Sequence, residues 1–183
     1  MILTISGPAG TGKTVLAENL LARGKNFRVA TNTTTRAPRP TDIAGDYTFV
    51  SDVEFDELLA RGETILPFTV HDRRYATNKK IFESALASDD VYLWARMPQA
   101  LVPLYESAGA QRIHIRSVFL CAPDEKELLR RLEARGHHDI HEIELRIKEC
   151  RDWEVYTRGL PLLINFIPVG TPQETVEKVL ALL

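Results

Sequence analysis

Residues 7–14 read GPAGTGKT, and ILTIS just before them (2–6) is a short apolar run that stops at the first glycine. The octet matches G-x-x-x-x-G-K-[ST] in the setting where that pattern carries chemistry, between a buried strand and an amphipathic helix. Gly7, Gly10 and Gly12 let the backbone curl around one anion. The main-chain N–H groups of the loop, which also contains Pro8, Ala9 and Thr11, then point inward at phosphate oxygens. The helix predicted to start at Lys13 adds the positive end of its dipole. Lys13 would reach the β- and γ-phosphates of ATP, and the Thr14 hydroxyl would ligate Mg²⁺. The bland alternative is a glycine-rich turn with an accidental lysine. Average composition puts the pattern in about one chain of this length in a hundred, and the strand–loop–helix setting lowers that further. Residues 7–14 are therefore the predicted ATP site, with Thr14 as its metal ligand.

Outward from this loop the pattern repeats. Val15, Leu16, Leu20 and Leu21 fall at helical spacing up to Gly24, and VYLW (91–94), IRSVFLCA (115–122) and LLINFI (162–167) are further strand candidates. Helical patterns separate them at 98–106, 124–135, 141–158 and 172–183. Apolar strands alternating with amphipathic helices predict an α/β three-layer sandwich with a parallel core sheet, the P-loop NTPase arrangement. The interval 33–78 breaks the rhythm: YTFV, ETILPFTV and RRYAT read as short strands around one helix, Asp52 to Arg61. It is predicted to be a small, mostly antiparallel insertion. One domain is expected, with core segments 1–32, 79–134 and 159–183, the insertion at 33–78, and a further, largely helical segment at 135–158.

Composition limits the partners. The 183 residues allow one domain with a real core, and 44% hydrophobic with 26% charged residues is ordinary for a soluble protein. Lys plus Arg number 23 against 25 acids, a net charge of −2, which argues against a general nucleic-acid or membrane-surface binder. Sixteen of the 23 basic residues are arginine, the better bidentate phosphate clamp. Cys121 and Cys150 have no CxxC spacing and read as free thiols of a reducing compartment. No apolar run approaches ~18 residues and the start lacks a signal-peptide pattern, so a cytoplasmic protein is expected, of undetermined oligomeric state.

TNTTTRAPRP (31–40) has almost no apolar side chain and so reads as an anion-holding segment, with no part in a core. TTTRAPRP, followed by GDYTFVSDVEFDELLARGE and then RRYAT, resembles the guanylate kinase family, whose members carry a T-T-R-x-P-R segment, a Y-x-F-V strand, a helix ending near G-E and a Y-G-[ST] turn. LLRRLEARG resembles the family's arginine-bearing lid, which implies that 135–158 is a helical lid region. The resemblance implies that Arg36, Arg39, Tyr47 and Tyr75, with Thr77, hold the phosphate of a nucleoside monophosphate acceptor. It implies that Arg131, Arg135 and Arg146 close over ATP, with Lys13, Arg135 and Arg146 as the catalytic cations. The residues agree in part: Pro38 and Pro40 stiffen the backbone around two guanidiniums, and phenol hydroxyls can complete a dianion's shell.

The chain also departs from the family. Guanylate kinases read guanine partly with carboxylates, one in E-F-[IL]-E-W and others in an Asp-x-Asp after the third core strand. Here Leu66 stands at the first place, and Trp94, Ala95, Arg96 and Met97 span the second. Two lost charged hydrogen bonds would cost roughly 10²–10⁴ in guanine preference. Asp72 could substitute only if its loop turns inward. Arg73, Arg74 and Arg96 would suit an acceptor with more phosphate and less base, as in ribose 1,5-bisphosphate kinases, unless Arg73 and Arg74 are merely charges on an edge strand. Ribose 1,5-bisphosphate kinases generally lack so complete a T-T-R-x-P-R segment. A non-catalytic guanylate-kinase-like binding module is the remaining alternative, though such modules usually lose the phosphate loop that is intact here. HHDIH (137–141) offers few metal ligands, and His71 and His114 read as satisfied strand residues.

Overall fold

The computed structural model describes residues 1–24, 26–39, 42–70, 72–134 and 139–183. Its strands are β1 (Ile2–Ser6), β2 (Phe27–Val29), β3 (Asn32–Thr34), β4 (Tyr47–Phe49), β5 (Thr64–Val70), β6 (Arg73–Asn78), β7 (Val91–Ala95), β8 (Ile115–Cys121) and β9 (Ile164–Pro168). Its helices are α1 (Lys13–Arg23), α2 (Asp52–Ala60), α3 (Lys79–Ala87), α4 (Leu101–Ala108), α5 (Glu125–Glu133), α6 (Ile140–Arg158) and α7 (Pro172–Leu180), with 3₁₀ turns at Pro98–Ala100 and Gly109–His114.

Two sheets divide the strands. The larger is parallel throughout, in the order β2-β7-β1-β8-β9. β1 is buried along its whole length, and its alternate residues feed two separate cores. Leu3 and Ile5 join Leu16, Leu20, Val176 and Val179 beneath α1 and α7. Ile2 faces the other way, onto Phe82, Trp94 and Leu104 beneath α3 and α4. On that face Thr4 donates to Ser117 Oγ at 2.7 Å, and the Tyr105 hydroxyl lies 3.0 Å from the same oxygen, so these three hydroxyls are mutually satisfied. The connection to β7 lies on one side of β1 and that to β8 on the other. The crevice at the C-terminal ends of these strands is thus the topological switch point where ligands of such sheets bind.

The smaller sheet has the order β4-β3-β6-β5, with β3 parallel to β4 and antiparallel to β6, which in turn is antiparallel to β5. This is the mostly antiparallel insertion expected, and α2 beside it is closed by a Ser51–Glu54 capping box. Several expectations need correction. The short strand β2 and the helix α3 had no clear periodic signal and were not foreseen, and strand structure begins at Asn32. The threonine-rich segment is not outside the core: Asn32, Thr33, Thr34 and Arg36 are all buried. Burial without apolar side chains is possible because neighbouring groups meet the polar ones. Asn32 Oδ1 accepts from Trp94 Nε1 at 2.8 Å, and Thr34 Oγ1 both donates to the Arg74 carbonyl and accepts the Arg36 N–H. β6 is an interior strand, so Arg73 and Arg74 are not on an edge. His114 ends a 3₁₀ turn, exposed, and lies in no strand, while His71 lies outside the described residues.

Candidate functional site

The loop between β1 and α1 closes as its glycines require. Gly7 and Gly10 have φ of +144° and +85°, and a Cβ on Gly7 would come within 2.8 Å of the Leu120 carbonyl oxygen. Only glycine fits that approach. Lys13 turns back over the loop and donates to the carbonyls of Gly7 (2.5 Å) and Pro8 (2.8 Å). Thr11 is tied down by its own bond to the Pro8 carbonyl, and Thr14 stands half-buried in the first turn of α1. Over the loop lies a cleft of about 400 Å³ lined by Gly10, Gly12, Val15, Arg131, Val169 and Pro172. Val169, Gly170, Pro172 and Thr175, from the β9–α7 turn, were missed from sequence because nothing local ties them to the loop.

Arg131 donates to Glu127 at 2.7 Å and reaches the Gly10 carbonyl at 3.4 Å, so it lies against the loop and not on a solvated face. Arg130 and Arg131 together hold the Glu127 carboxyl down to about 2. On α6, Arg146 pairs with Glu149 at 2.9 Å. One turn on, Cys150 packs with Leu128 and Leu132 against Ala9 of the loop. Burial, then Glu149, pushes the Cys150 thiol up to about 11 against the pull of Lys13 and Arg146. Arg135, with His137 and His138, lies outside the described residues. Among the described residues no cluster of His, Cys, Asp or Glu is gathered as a metal site, and no helix is long and apolar enough to cross a membrane.

Strand register assembles the second cluster. Asn32 pairs with both Tyr47 and Thr77, and Thr34 with both Phe49 and Tyr75. Cross-strand partners share a face, so Tyr47, Tyr75 and Thr77 rise from one side of the small sheet although they are up to 30 positions apart in sequence. The Tyr47 and Tyr75 rings meet edge-on at 6.4 Å, and Phe68 stacks on Tyr75 at 5.2 Å. Arg36, just beyond β3, lies over the Tyr47 ring at 4.8 Å. Its fork is engaged by Asp42, with NH1–Oδ2 3.1 Å and NH2–Oδ1 2.8 Å. Burial works against the Arg36 charge, but Asp42 outweighs it and raises the guanidinium's pKa. Arg39 is exposed, but its backbone N–H donates to Asp42 Oδ2 at 2.7 Å and its charge also holds the Asp42 carboxyl down.

Between the two clusters lies Arg96, 4% exposed. Its backbone N–H extends the β7 ladder to the Ile5 carbonyl at 3.1 Å, its guanidinium covers the Trp94 ring at 4.4 Å, and NH2 donates to Thr77 Oγ1. Burial pulls its pKa down to about 10, which still leaves a cation at neutral pH. Asp46, missed from sequence, is 8% exposed beside it. Burial, then Asp42, pushes the Asp46 carboxyl up to about 7 against the pull of Arg36 and Arg96. The other sequence candidates sit elsewhere. Arg74 covers Phe55 and pairs with Asp56 at 2.5 Å, Arg73 is exposed, and Asp72 is exposed with φ +58°. Leu66 occupies a bulge of β5 with φ +53° and lines an apolar cleft of about 400 Å³ with Phe68, Met97, Ala100, Glu149 and Trp153.

Comparison with known proteins bears on this arrangement. The family model for guanylate kinase matches residues 1–155. The guanylate kinase of Wolbachia sp. subsp. Brugia malayi (strain TRS) is 36% identical over 152 residues, covering 82% of this chain and 76% of the relative. That of Rhodopseudomonas palustris (strain ATCC BAA-98 / CGA009) is 29% identical over 181 residues, 98% of this chain and 81% of the relative. The crystal structure of guanylate kinase from Anaplasma phagocytophilum superposes with a TM-score of 0.74 over 100% of this chain and 83% of that one, at 24% identity, and so shares the P-loop NTPase fold. The phosphate loop at the switch point and a match spanning most of the sequence lead to one conclusion: the chain belongs to the guanylate kinase family and is a nucleoside monophosphate kinase of that type.

Proposed function

We propose that this protein moves the γ-phosphoryl group of ATP, bound with Mg²⁺, to the phosphate of a nucleoside monophosphate, with the core carrying the donor, residues 33–78 the acceptor and the α5–α6 segment the lid. The observation that carries this reading is the position of both clusters at one edge of the core sheet. Arg96 touches β1 at Ile5 and the small sheet at Thr77, and the phosphate loop begins two residues beyond Ile5. In the bound state the ATP phosphates would replace the Gly7 and Pro8 carbonyls as partners of the Lys13 ammonium. Arg131 and Arg146 would neutralise charge on the transferring group, as would Arg135 from its loop. The half-exposed Thr14 hydroxyl fits a hard cation that takes most of its oxygens from phosphates and water, and the metal would neutralise the β- and γ-phosphates there.

Arg36 and the Arg39 main chain, with Tyr47 and Tyr75, would hold the acceptor phosphate where Asp42 now sits. A monophosphate oxygen is already largely ionised at neutral pH, so positioning and charge neutralisation suffice and no general base is required. Lid closure would exclude water and protect ATP from hydrolysis. A cytoplasmic location accords with these substrates. The buried cation Arg96, where guanylate kinases are expected to carry a carboxylate, favours a second reading, a sugar-phosphate kinase acting on ribose 1,5-bisphosphate.

The test is ADP release from ATP with GMP, dGMP, IMP, AMP, UMP, CMP and ribose 1,5-bisphosphate in turn. At least one acceptor should raise the rate well above ATP hydrolysis alone, and Arg36→Ala should remove that increment. Background rates with every acceptor would instead favour a non-catalytic binding module.

A further inference from the structure

The Arg96 guanidinium is enclosed, yet its Nε–H and NH1 groups have no hydrogen-bond partner; among the described residues no carboxylate hydrogen-bonds to it, although the Asp46 charge acts on it from nearby. An ordinary protein interior leaves few such donors unmet. Arginine carries five N–H donors and no lone pair. Because its NH2 donates to Thr77 Oγ1, the Thr77 hydroxyl hydrogen is turned away from Arg96, on the face shared with Tyr75. Together they offer donors on both counts. The carboxylates nearby are committed or weakened as acceptors: Asp42 holds Arg36 and the Arg39 N–H, and Glu149 holds Arg146. Asp46 is half protonated near neutrality. The adjoining cleft has the apolar walls a planar base needs in Leu66, Phe68, Met97 and Trp153, while Thr69 and Gln99, which also line it, each carry both donor and acceptor and so do not fix its polarity.

Resting on the phosphotransferase reading above, we propose that Arg96 is a specificity-determining residue that reverses the hydrogen-bond polarity of the base subsite. The preferred acceptor is a nucleoside monophosphate whose base presents carbonyl lone pairs or negative charge where guanine presents N–H groups. GMP, IMP and XMP form the sharpest probe series, since their edges diverge at C2, which bears an amino donor, a hydrogen or an oxo acceptor, the oxo group bringing with it an ionisable N3–H that can leave the base anionic. A reversed hydrogen bond in such a site changes kcat/KM by about tenfold or more.

The experiment measures kcat/KM for the three acceptors with the full chain and with Arg96→Met, Arg96→Lys and Arg96→Asp, checking fold by thermal melting and by ATP affinity. Support is the order XMP, IMP, GMP in the wild type, with XMP at least tenfold above GMP. Arg96→Met should flatten that order, Arg96→Lys retain part of it, and Arg96→Asp invert it. Should Arg96→Met and Arg96→Asp both fail to fold, the wild-type order and Arg96→Lys still decide. A wild type that uses GMP as well as or better than XMP overturns the inference. If Asp46→Asn removes that GMP preference, Asp46 is the reading group in place of Arg96. Either result leaves the phosphotransferase reading intact. Absence of turnover with any monophosphate, these three included, overturns both.

Discussion

Eight consecutive residues make the proposed donor cradle, whereas the proposed acceptor cluster draws Arg36 from beyond β3, Tyr47 from β4, Tyr75 and Thr77 from β6 and Arg96 from the end of β7. The cradle presents main-chain groups, and its one cation rests on carbonyls of the same loop. The cluster presents side chains, with one guanidinium held by an internal carboxylate and another left with open donors. A main-chain cradle tolerates changes of its neighbours because its geometry is local. A side-chain cluster can be retuned by single substitutions, so acceptor choice is the property of this fold that can drift while the donor stays the same.

This contrast is breakable. The largest effect is expected from Lys13→Ala, which should lower kcat by about 10³ or more while leaving acceptor affinity, read by calorimetry without ATP, unchanged. A comparable loss of acceptor affinity would show that the two regions are not separable. Arg36→Ala should cost about 10²–10³ in kcat/KM, mostly through acceptor KM, with ATP affinity preserved. Unchanged acceptor KM and kcat would remove Arg36 from the site.

Asp46→Asn probes the cluster's stability. The folded carboxyl titrates near 7 and its ordinary value is 3.8, so the native state binds the extra proton between those values. Wild-type stability should therefore fall as pH rises from about 4 to 7 and stay level above that. The asparagine variant should lack this fall and be more stable at pH 8 by on the order of 4 kcal/mol, with no difference near pH 3.5. Denaturant melts at the two pH values decide it, and equal stability at pH 8 would mean Asp46 is not enclosed as described. The smallest effect is reserved for Asp42→Asn. Freed of its internal counter-ion, Arg36 should bind the acceptor several-fold more tightly, with a lower resting Tm and a larger acceptor-induced rise. A weaker acceptor response would make Asp42 a support for Arg36 instead of a competitor.

The donor half was legible because its geometry is encoded in adjacent residues. Glycines at 7, 10 and 12 dictate the turn, and apolar spacing from Val15 to Leu21 dictates the helix that follows. The parallel core could be read from alternating strands and helices for the same reason. Arg74, on an interior strand but turned to Asp56, and Arg96, just past the end of β7 and enclosed against Trp94, could not be told apart by sequence because both are arginines in or beside a strand. The threonine segment misled because composition alone assigns polar residues to the surface, whereas here Trp94, Arg74 and the strand ladder satisfy them inside.

By itself, then, the sequence determined the phosphate loop, the layered α/β core and the residue types available for gripping a second phosphate, because these follow from short-range conformational preference and periodicity. The tertiary structure alone decided which arginines meet a carboxylate and which keep open donors. Burial and pairing are set by strand register and by packing between residues far apart in sequence, 62 positions for Trp94 and Asn32 and 121 for Arg131 and Gly10.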